Sequence, residues 1–277
     1  MAVTQVTPLV LLCVATCICL VVVSSEITMP SATTKAKRSK SYELIHTLPH
    51  DTSCFTQGLE YYNGLLYEST GMTGRSCLQI VHPDTGNVLK RVYIDKTLFG
   101  EGITVVNDRV YMLTWKNKKM LIFDAISLEL IGTNTFTTHS RQGWGIISDG
   151  TYLIMSDGSD TLNYFEFPQV EMGGTELKKV KEVKVVDKGN PVRSVNELEY
   201  IDGFIYANIW YVDKLIKIHP TSGNIVKTFN FRNLYPKRSR SRSADCFNGI
   251  AFNSTDRSVM LTGKYWDKYY RVNLMEL

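Results

Sequence analysis

The chain has 277 residues, of which 44% are hydrophobic and 21% charged, and a formal net charge of +4. This composition excludes a disordered or collagen-like chain and suits a globular protein of one large β domain or two small ones. The positive excess is mild and sits mostly in two short runs, which excludes nucleic acid as a partner of the remaining surface.

From Val6 to Ser25 there is no charge, and VTPLVLLCVATCICLVVVSS ends in small residues, with Val23 and Ser25 placed as a signal peptidase requires. Residues 1–25 therefore read as a signal peptide, and the protein as secreted or lumenal in the secretory pathway. An uncleaved membrane anchor is the competing reading, because about 20 apolar residues span a bilayer. The cations of KAKRSK, Lys35 to Lys40, would then lie on the wrong side for the positive-inside rule. Residues 26–41 lack hydrophobic periodicity and read as a flexible stem, leaving 42–277 for the folded domain.

Cys13, Cys17 and Cys19 fall in the leader, so the domain holds Cys54, Cys77 and Cys246. An odd number permits at most one internal disulfide, expected between Cys54 and either Cys77 or Cys246. Asn253-Ser254-Thr255 is the one N-glycosylation acceptor and fits a secreted chain.

Five related phrases recur along the domain: FTQGLEYYNG, FGEGITVVND, GWGIISDG, NELEYIDG and FNGIAFNST. Aligned at Gln57, Glu101, Trp144, Asn196 and Asn248 they are spaced by 44, 43, 52 and 52 residues, about one four-stranded propeller blade. In the first unit LEYY and LLYEST flank Asn63-Gly64, a strong hairpin signal, and LQIV and VLKRVYI flank Pro83-Asp84-Thr85-Gly86. Outer strand pairs return as MLIFD and LELIGTNTF, as LNYFEF and KEVKVV, and as LIKI and IVKTFNF. The last unit has only three strands before Leu277, and YELIHTL, from Tyr42 to Leu48, supplies the fourth. The prediction is an all-β, five-bladed β-propeller whose last blade is closed by an N-terminal strand, which removes its free edges.

The first strand of each blade lines the central channel, so the aligned residues stand at its mouth. Gly58, Gly102, Gly145 and Gly249 follow them and permit close backbone packing. The returning second strands end at Gly71, Trp115, Gly158, Trp210 and Lys264 on the same face. One face thus gathers Gln57, Glu101, Asn196, Asn248, Trp115, Trp144, Trp210 and Lys264. Three tryptophans at one mouth form an apolar pocket, although a propeller Trp taken singly is more often blade packing. Glu101, between two glycines and walled by aromatics, would be desolvated, with a pKa raised toward use in proton transfer. Gln57 and Asn196 serve equally well to satisfy strand ends or to bind a ligand. Asp157 and Asp245 read as turn caps near the same face. The five histidines are scattered, and no Cys-x-x-Cys, His-Glu-x-x-His, nucleophile elbow or phosphate loop occurs, so neither a metal nor a cofactor is expected.

The segments PHDTSCFTQGLEY, YESTGMTGRS, FGEGIT, LTWK, GWGIISDG, SDGS, NELEYI, ANIW, FNGIAF and TGKYW, in order from His50 to Tyr270, resemble the plant-type glutaminyl-peptide cyclotransferases, or glutaminyl cyclases. The resemblance implies a five-bladed propeller, unrelated to the zinc-dependent animal enzymes, that converts N-terminal glutamine to pyroglutamate and releases ammonia. It implies an acyltransferase acting on peptides and proteins with N-terminal glutamine, with Glu101 as acid/base. Phe55, Gln57, Trp115, Trp144, Asn196, Trp210 and Lys264 would form the substrate pocket. The three cysteines and KRSRSRS at 237–243 depart from the family pattern.

The chemistry suits these residues. The α-amine loses a proton as it attacks its own side-chain carbonyl, and the leaving nitrogen gains one, so a single carboxylate between them does both tasks. Gln57, Asn196 or Lys264 would stabilise the oxyanion. The expectation is a monomeric, metal-independent cyclase; a non-catalytic propeller that binds peptide N-termini or a protein partner is the alternative. The basic run Lys237 to Arg242 reads as a solvated loop or as an attractor of acidic substrates or anionic surfaces.

Overall fold

The computed structural model describes residues 40–277. The signal peptide, its anchor alternative and the stem up to residue 39 lie outside the described residues. Among the described residues no helix is long and apolar enough to cross a membrane.

β1 (Tyr42–Pro49) precedes the first blade, β2 (Thr56–Tyr62), β3 (Leu65–Thr70), β4 (Cys77–Val81) and β5 (Val88–Tyr93). The second blade is β6 (Gly100–Val106), β7 (Arg109–Thr114), β8 (Lys119–Asp124) and β9 (Leu130–Thr135). The third is β10 (Ile146–Ser148), β11 (Leu153–Met155), β12 (Thr161–Phe165) and β13 (Lys179–Lys184), followed by a small hairpin, β14 (Val186–Asp187) and β15 (Asn190–Pro191). β16 (Val195–Ile201), β17 (Phe204–Ile209), β18 (Val212–Ile218) and β19 (Ile225–Asn230) make the fourth. The fifth contains β20 (Phe247–Phe252), β21 (Val259–Gly263) and β22 (Lys268–Leu274), and β1 completes it in the order β1-β22-β21-β20. Tyr42 pairs with Leu274 and Pro49 with Lys268, so the predicted closing strand runs antiparallel along the whole of β22.

The period of two along each strand divides its residues between neighbouring blades. On β7, Val110 and Met112 pack toward the first blade, while Tyr111 and Leu113 pack toward the third. Five apolar clusters result, one at each blade interface, the last uniting Leu48 and Tyr269 with Leu59 and Leu66 across the closing seam. Strands buried on both faces read as near-continuous apolar runs, which is why MLIFD and LNYFEF were visible in the sequence.

Two expectations, the KEVKVV strand and the disulfide, need correction. KEVKVV is not one strand: β13 ends at Lys184, and Val186 turns back through Lys188 and Gly189, both at positive φ, into β15. The basic run begins with a 3-10 turn, Lys237–Ser239, whose three residues are exposed. Cys54, Cys77 and Cys246 are three free, buried thiols, so the expected disulfide is absent. Cys77 shares a hydrogen bond with Thr70 inside the first blade, and Cys54 faces Gln79 and Arg91. Lying near one face did not bring two sulfurs together.

The closing seam is polar at its centre. Glu68 on β3 accepts hydrogen bonds from His50 (2.9 Å) and Thr56 (2.6 Å) at one oxygen, and from Gln79 (2.7 Å) and Tyr269 (2.6 Å) at the other. His50 completes its bonding by donating from Nδ1 to the Trp266 carbonyl at 2.8 Å, so the imidazolium satisfies both acceptors. His50, Cys54 and Glu68 bring potential metal ligands within 4.8 Å of one another. They read instead as a satisfied network, because His50 and Glu68 spend their donor atoms on protein partners and burial pushes the Cys54 thiol up, away from the thiolate a metal needs.

Burial pushes the His50 pKa down, but the Glu68 charge and hydrogen bond outweigh it, and the net shift is up. Burial likewise pushes Glu68 up, and His50 with the hydroxyl donors brings it below the ordinary value. The His50 contribution is complete below its unfolded pKa of about 6.5 and is lost as pH rises through its raised folded value. The Glu68 contribution is complete above about 4.3 and is lost as pH falls through its lowered folded value. Glu68→Gln should therefore cost about 3–5 kcal/mol in urea unfolding near pH 5.5, with the difference from wild type shrinking at higher pH. An unchanged urea midpoint would remove this seam from the account.

Candidate active site

The aligned residues are positioned by one repeated hydrogen bond. In four blades the residue just beyond the second strand donates its N–H to the carbonyl two residues before the aligned position. These pairs are Gly71 to Phe55 (2.8 Å), Trp115 to Phe99 (3.0 Å), Trp210 to Ser194 (2.9 Å) and Lys264 to Cys246 (2.9 Å). The third blade departs: Trp144 donates to Ser156 at 3.1 Å, and Gly143 reaches Trp115 of the neighbouring blade at 2.9 Å.

A cavity of about 250 Å3 opens between these ends. Phe55, Gln57, Glu101, Trp115, Trp144, Asn196, Trp210 and Lys264 all line it. Met72, Phe99, Tyr211 and Asp245 complete the wall. Phe99 stands two residues before Glu101 as Phe55 stands before Gln57, a signal that was present in the alignment. Gly71 is required for its space, because a Cβ there would run into the Phe99 ring. Met72 beside it holds a φ of 98°, a strained value for a residue with a side chain. Asp157 lies outside the cavity and is the turn cap expected, accepting from Ser140 and Ser159. Asp245, expected to be another cap, instead lines the cavity.

Burial raises the Glu101 carboxyl well above the usual range, partly offset by the Lys264 charge. A raised pKa does not single it out, since burial also pushes Glu60 up to about 8 and lifts Glu197 and Glu199. Of these four, Glu101 alone lines the cavity. Lys264 is itself buried, makes no ion pair among the described residues, and lies 4.5 Å from the Phe55 ring centre.

The amides have distinct tasks. Asn248 donates to the Thr56 and Gln57 carbonyls at 3.0 and 3.3 Å, and accepts from Asn196 Nδ2 at 2.8 Å. Asn248 thereby fixes its neighbours, and one Asn196 N–H is committed before any ligand arrives. The side-chain oxygen of Gln57 is buried with no hydrogen-bond partner, an acceptor awaiting a donor. Gln142, which the sequence reading missed, accepts from the indole N–H of both Trp115 (2.5 Å) and Trp144 (3.1 Å). Trp144 meets Trp210 edge to face at 5.5 Å. Gln142→Leu should free both indoles, alter the near-ultraviolet circular dichroism of the tryptophans and cost about 1–2 kcal/mol of stability. An unaltered spectrum would show that the shared acceptor does not set the walls.

The glutamine cyclotransferase family model matches residues 14–274 of this chain. A glutaminyl-peptide cyclotransferase of Arabidopsis thaliana is 35% identical over 248 residues, covering 86% of this chain and 73% of the relative. The crystal structure of Myxococcus xanthus glutaminyl cyclase superposes with a TM-score of 0.74 at 28% identity, covering 84% of this chain and 96% of that one. The fold, the cavity and these likenesses agree: the chain belongs to the glutamine cyclotransferase family.

Proposed function

We propose that the protein is a glutaminyl-peptide cyclotransferase, an acyltransferase that converts the N-terminal glutamine of peptides and proteins to pyroglutamate. The observation that carries this reading is Glu101, a desolvated carboxyl lining an aromatic-walled cavity beside a buried cation. Names given to its relatives support the same activity.

The glutaminyl side chain folds back on itself between Trp115, Trp144 and Trp210, so that the α-nitrogen lies against its own Cδ. Holding the two reacting atoms together supplies much of what an intramolecular attack needs. The orphan Gln57 oxygen accepts from the α-amine. Glu101 as carboxylate takes the amine proton while the C–N bond forms, giving a tetrahedral intermediate with a negative oxygen. Lys264 is the nearest uncommitted cation for that charge, with the remaining Asn196 N–H as a neutral donor. Glu101 then returns the proton to the side-chain nitrogen, the C–N bond to it breaks, and ammonia leaves. No net proton is exchanged with solvent, and each charge change is met by a residue of this chain.

The leader makes the enzyme secreted or lumenal, acting as a monomer, with Asn253 as its glycan acceptor. Asn253 is half-buried at a turn, and its side-chain oxygen accepts from the Thr255 N–H at 3.0 Å.

Purified protein should release ammonia from Gln-Ala, and Glu101→Gln should lower kcat by about 10²–10⁴-fold. Saturable binding of Gln-Ala without ammonia release would instead identify a non-catalytic binder. The kcat/KM profile should rise with pH through the raised pKa of Glu101. Because Lys264 lowers that pKa, Lys264→Met should move the rising limb to higher pH, while the amine of the substrate is unchanged. A limb that stays in place would separate Lys264 from Glu101.

A further inference from the structure

Two hollows follow the Glu101 cavity outward along one side of the rim. The nearer, of about 260 Å3, includes Asp213, Lys237, Arg240 and Asp245 in its lining. The farther, of about 540 Å3, includes Lys214, Arg232, Lys237 and Arg238. The three hollows adjoin through shared lining residues. Tyr211 lines all of them, Asp245 joins the first to the second, and Asp213 with Lys237 joins the second to the third.

The charges along this path leave a positive excess, with Asp245 the one acid on it that is unpaired among the described residues. Asp213, the one acid on the farther hollow, is spent on Arg240 at 2.7 Å, with both side chains nearly buried. Arg240 also donates to the Tyr235 carbonyl at 2.8 Å and lies 4.9 Å from the Trp266 ring centre, so it anchors the basic segment. Lys214, Arg232, Lys237 and Arg238 are exposed, and none forms an ion pair among the described residues. An aromatic row leads out to them. Trp144 is half-buried, Trp210 is 41% exposed and Tyr211 is 62% exposed, with Trp210 and Tyr211 rings 4.7 Å apart. Tyr211 sits at positive φ (61°), which fixes it at the tip between β17 and β18.

A peptide whose first residue fills the inner cavity must send its remaining residues outward, at about 3.3–3.6 Å per residue when extended. On this side they cross Tyr211 and reach four uncompensated cations within the next few residues. A hollow on the opposite flank of Trp144 carries Asp157, Asp160 and Arg193, with Asp160 already paired to Lys184 at 3.0 Å. It offers no excess of positive charge. We propose that the residues following the N-terminal glutamine lie across Tyr211 in the basic rim groove, so that the enzyme prefers glutaminyl peptides with acidic residues just after that terminus. Clustered Arg and Lys recognise acidic segments in this way. The inference rests on the cyclase reading above.

The test compares kcat/KM for Gln-Ala-Glu-Glu, Gln-Ala-Ala-Ala and Gln-Ala-Lys-Lys amides, with Gln-Ala as a control too short to span the groove. The acidic peptide should exceed the neutral one by roughly tenfold, chiefly through KM, and the gap should close in about 0.5 M NaCl. It should also close in the Lys237→Glu/Arg238→Glu variant and in Lys214→Glu/Arg232→Glu, with folding checked by urea midpoint. Equal kcat/KM for the three peptides overturns the proposal. So does a preference untouched by both variants, or retention on anionic vesicles without any peptide preference. Failure of wild-type enzyme to turn over Gln-Ala overturns the cyclase reading and this inference with it.

Discussion

A methyl group at Gly58, Gly102 or Gly145 would overlap the backbone of the next blade, at Ile103, at Trp144 and at Asn196 respectively. That close approach of neighbouring inner strands is the constraint from which the mouth is built. It lets the Gly102 N–H reach the Trp144 carbonyl at 2.7 Å and lets Ser69 and Ser156 bridge to the Glu101 and Asn196 carbonyls at 2.6 Å. The residue before each glycine is thereby held in a narrow ring by backbone, with its side chain left free to differ from blade to blade. A polar ring of Gln57, Glu101 and Asn196 can be buried because the ladder beneath it is satisfied.

Two buried carboxylates show how environment divides labour. Glu68 and Glu101 both sit out of water, yet their pKa values move in opposite directions. Glu68 has four donors in contact, one of them the His50 cation, so the charged form is favoured and the carboxylate locks the closing seam. Glu101 has a lysine near enough to lower its pKa and no ion pair among the described residues, so desolvation prevails and its carboxyl is held above the usual range. Structure needs the first arrangement and proton transfer needs the second.

The repeat made the fold legible. A period near one blade, hairpin signals such as Asn63-Gly64 and a strand deficit in the last unit were enough to place β1 beside β22. The same register exposed the side chains at the mouth, since alignment alone brings Gln57, Glu101, Trp144 and Asn196 to equivalent sites. What escaped were contacts that depend on side-chain reach between blades. Gln142 binds two indoles that no spacing rule connects, and Glu68 meets His50 and Tyr269 across the junction of the chain's two ends. The cysteines failed for the complementary reason: proximity along a face does not fix the distance and direction a disulfide requires. The β14–β15 hairpin was hidden because Val185 and Val186 continue the apolar pattern through a change of direction.

The central claim is geometric: a glutaminyl residue folds between the tryptophans with its α-amine against the carboxyl of Glu101. A crystal structure of Glu101→Gln with uncyclised Gln-Ala tests this most directly. The account predicts the α-nitrogen within hydrogen-bond reach, about 3 Å, of the side chain at position 101, and the glutaminyl chain walled by Trp115, Trp144 and Trp210. A peptide bound outside the cavity, or one whose α-amine points away from position 101, would contradict it.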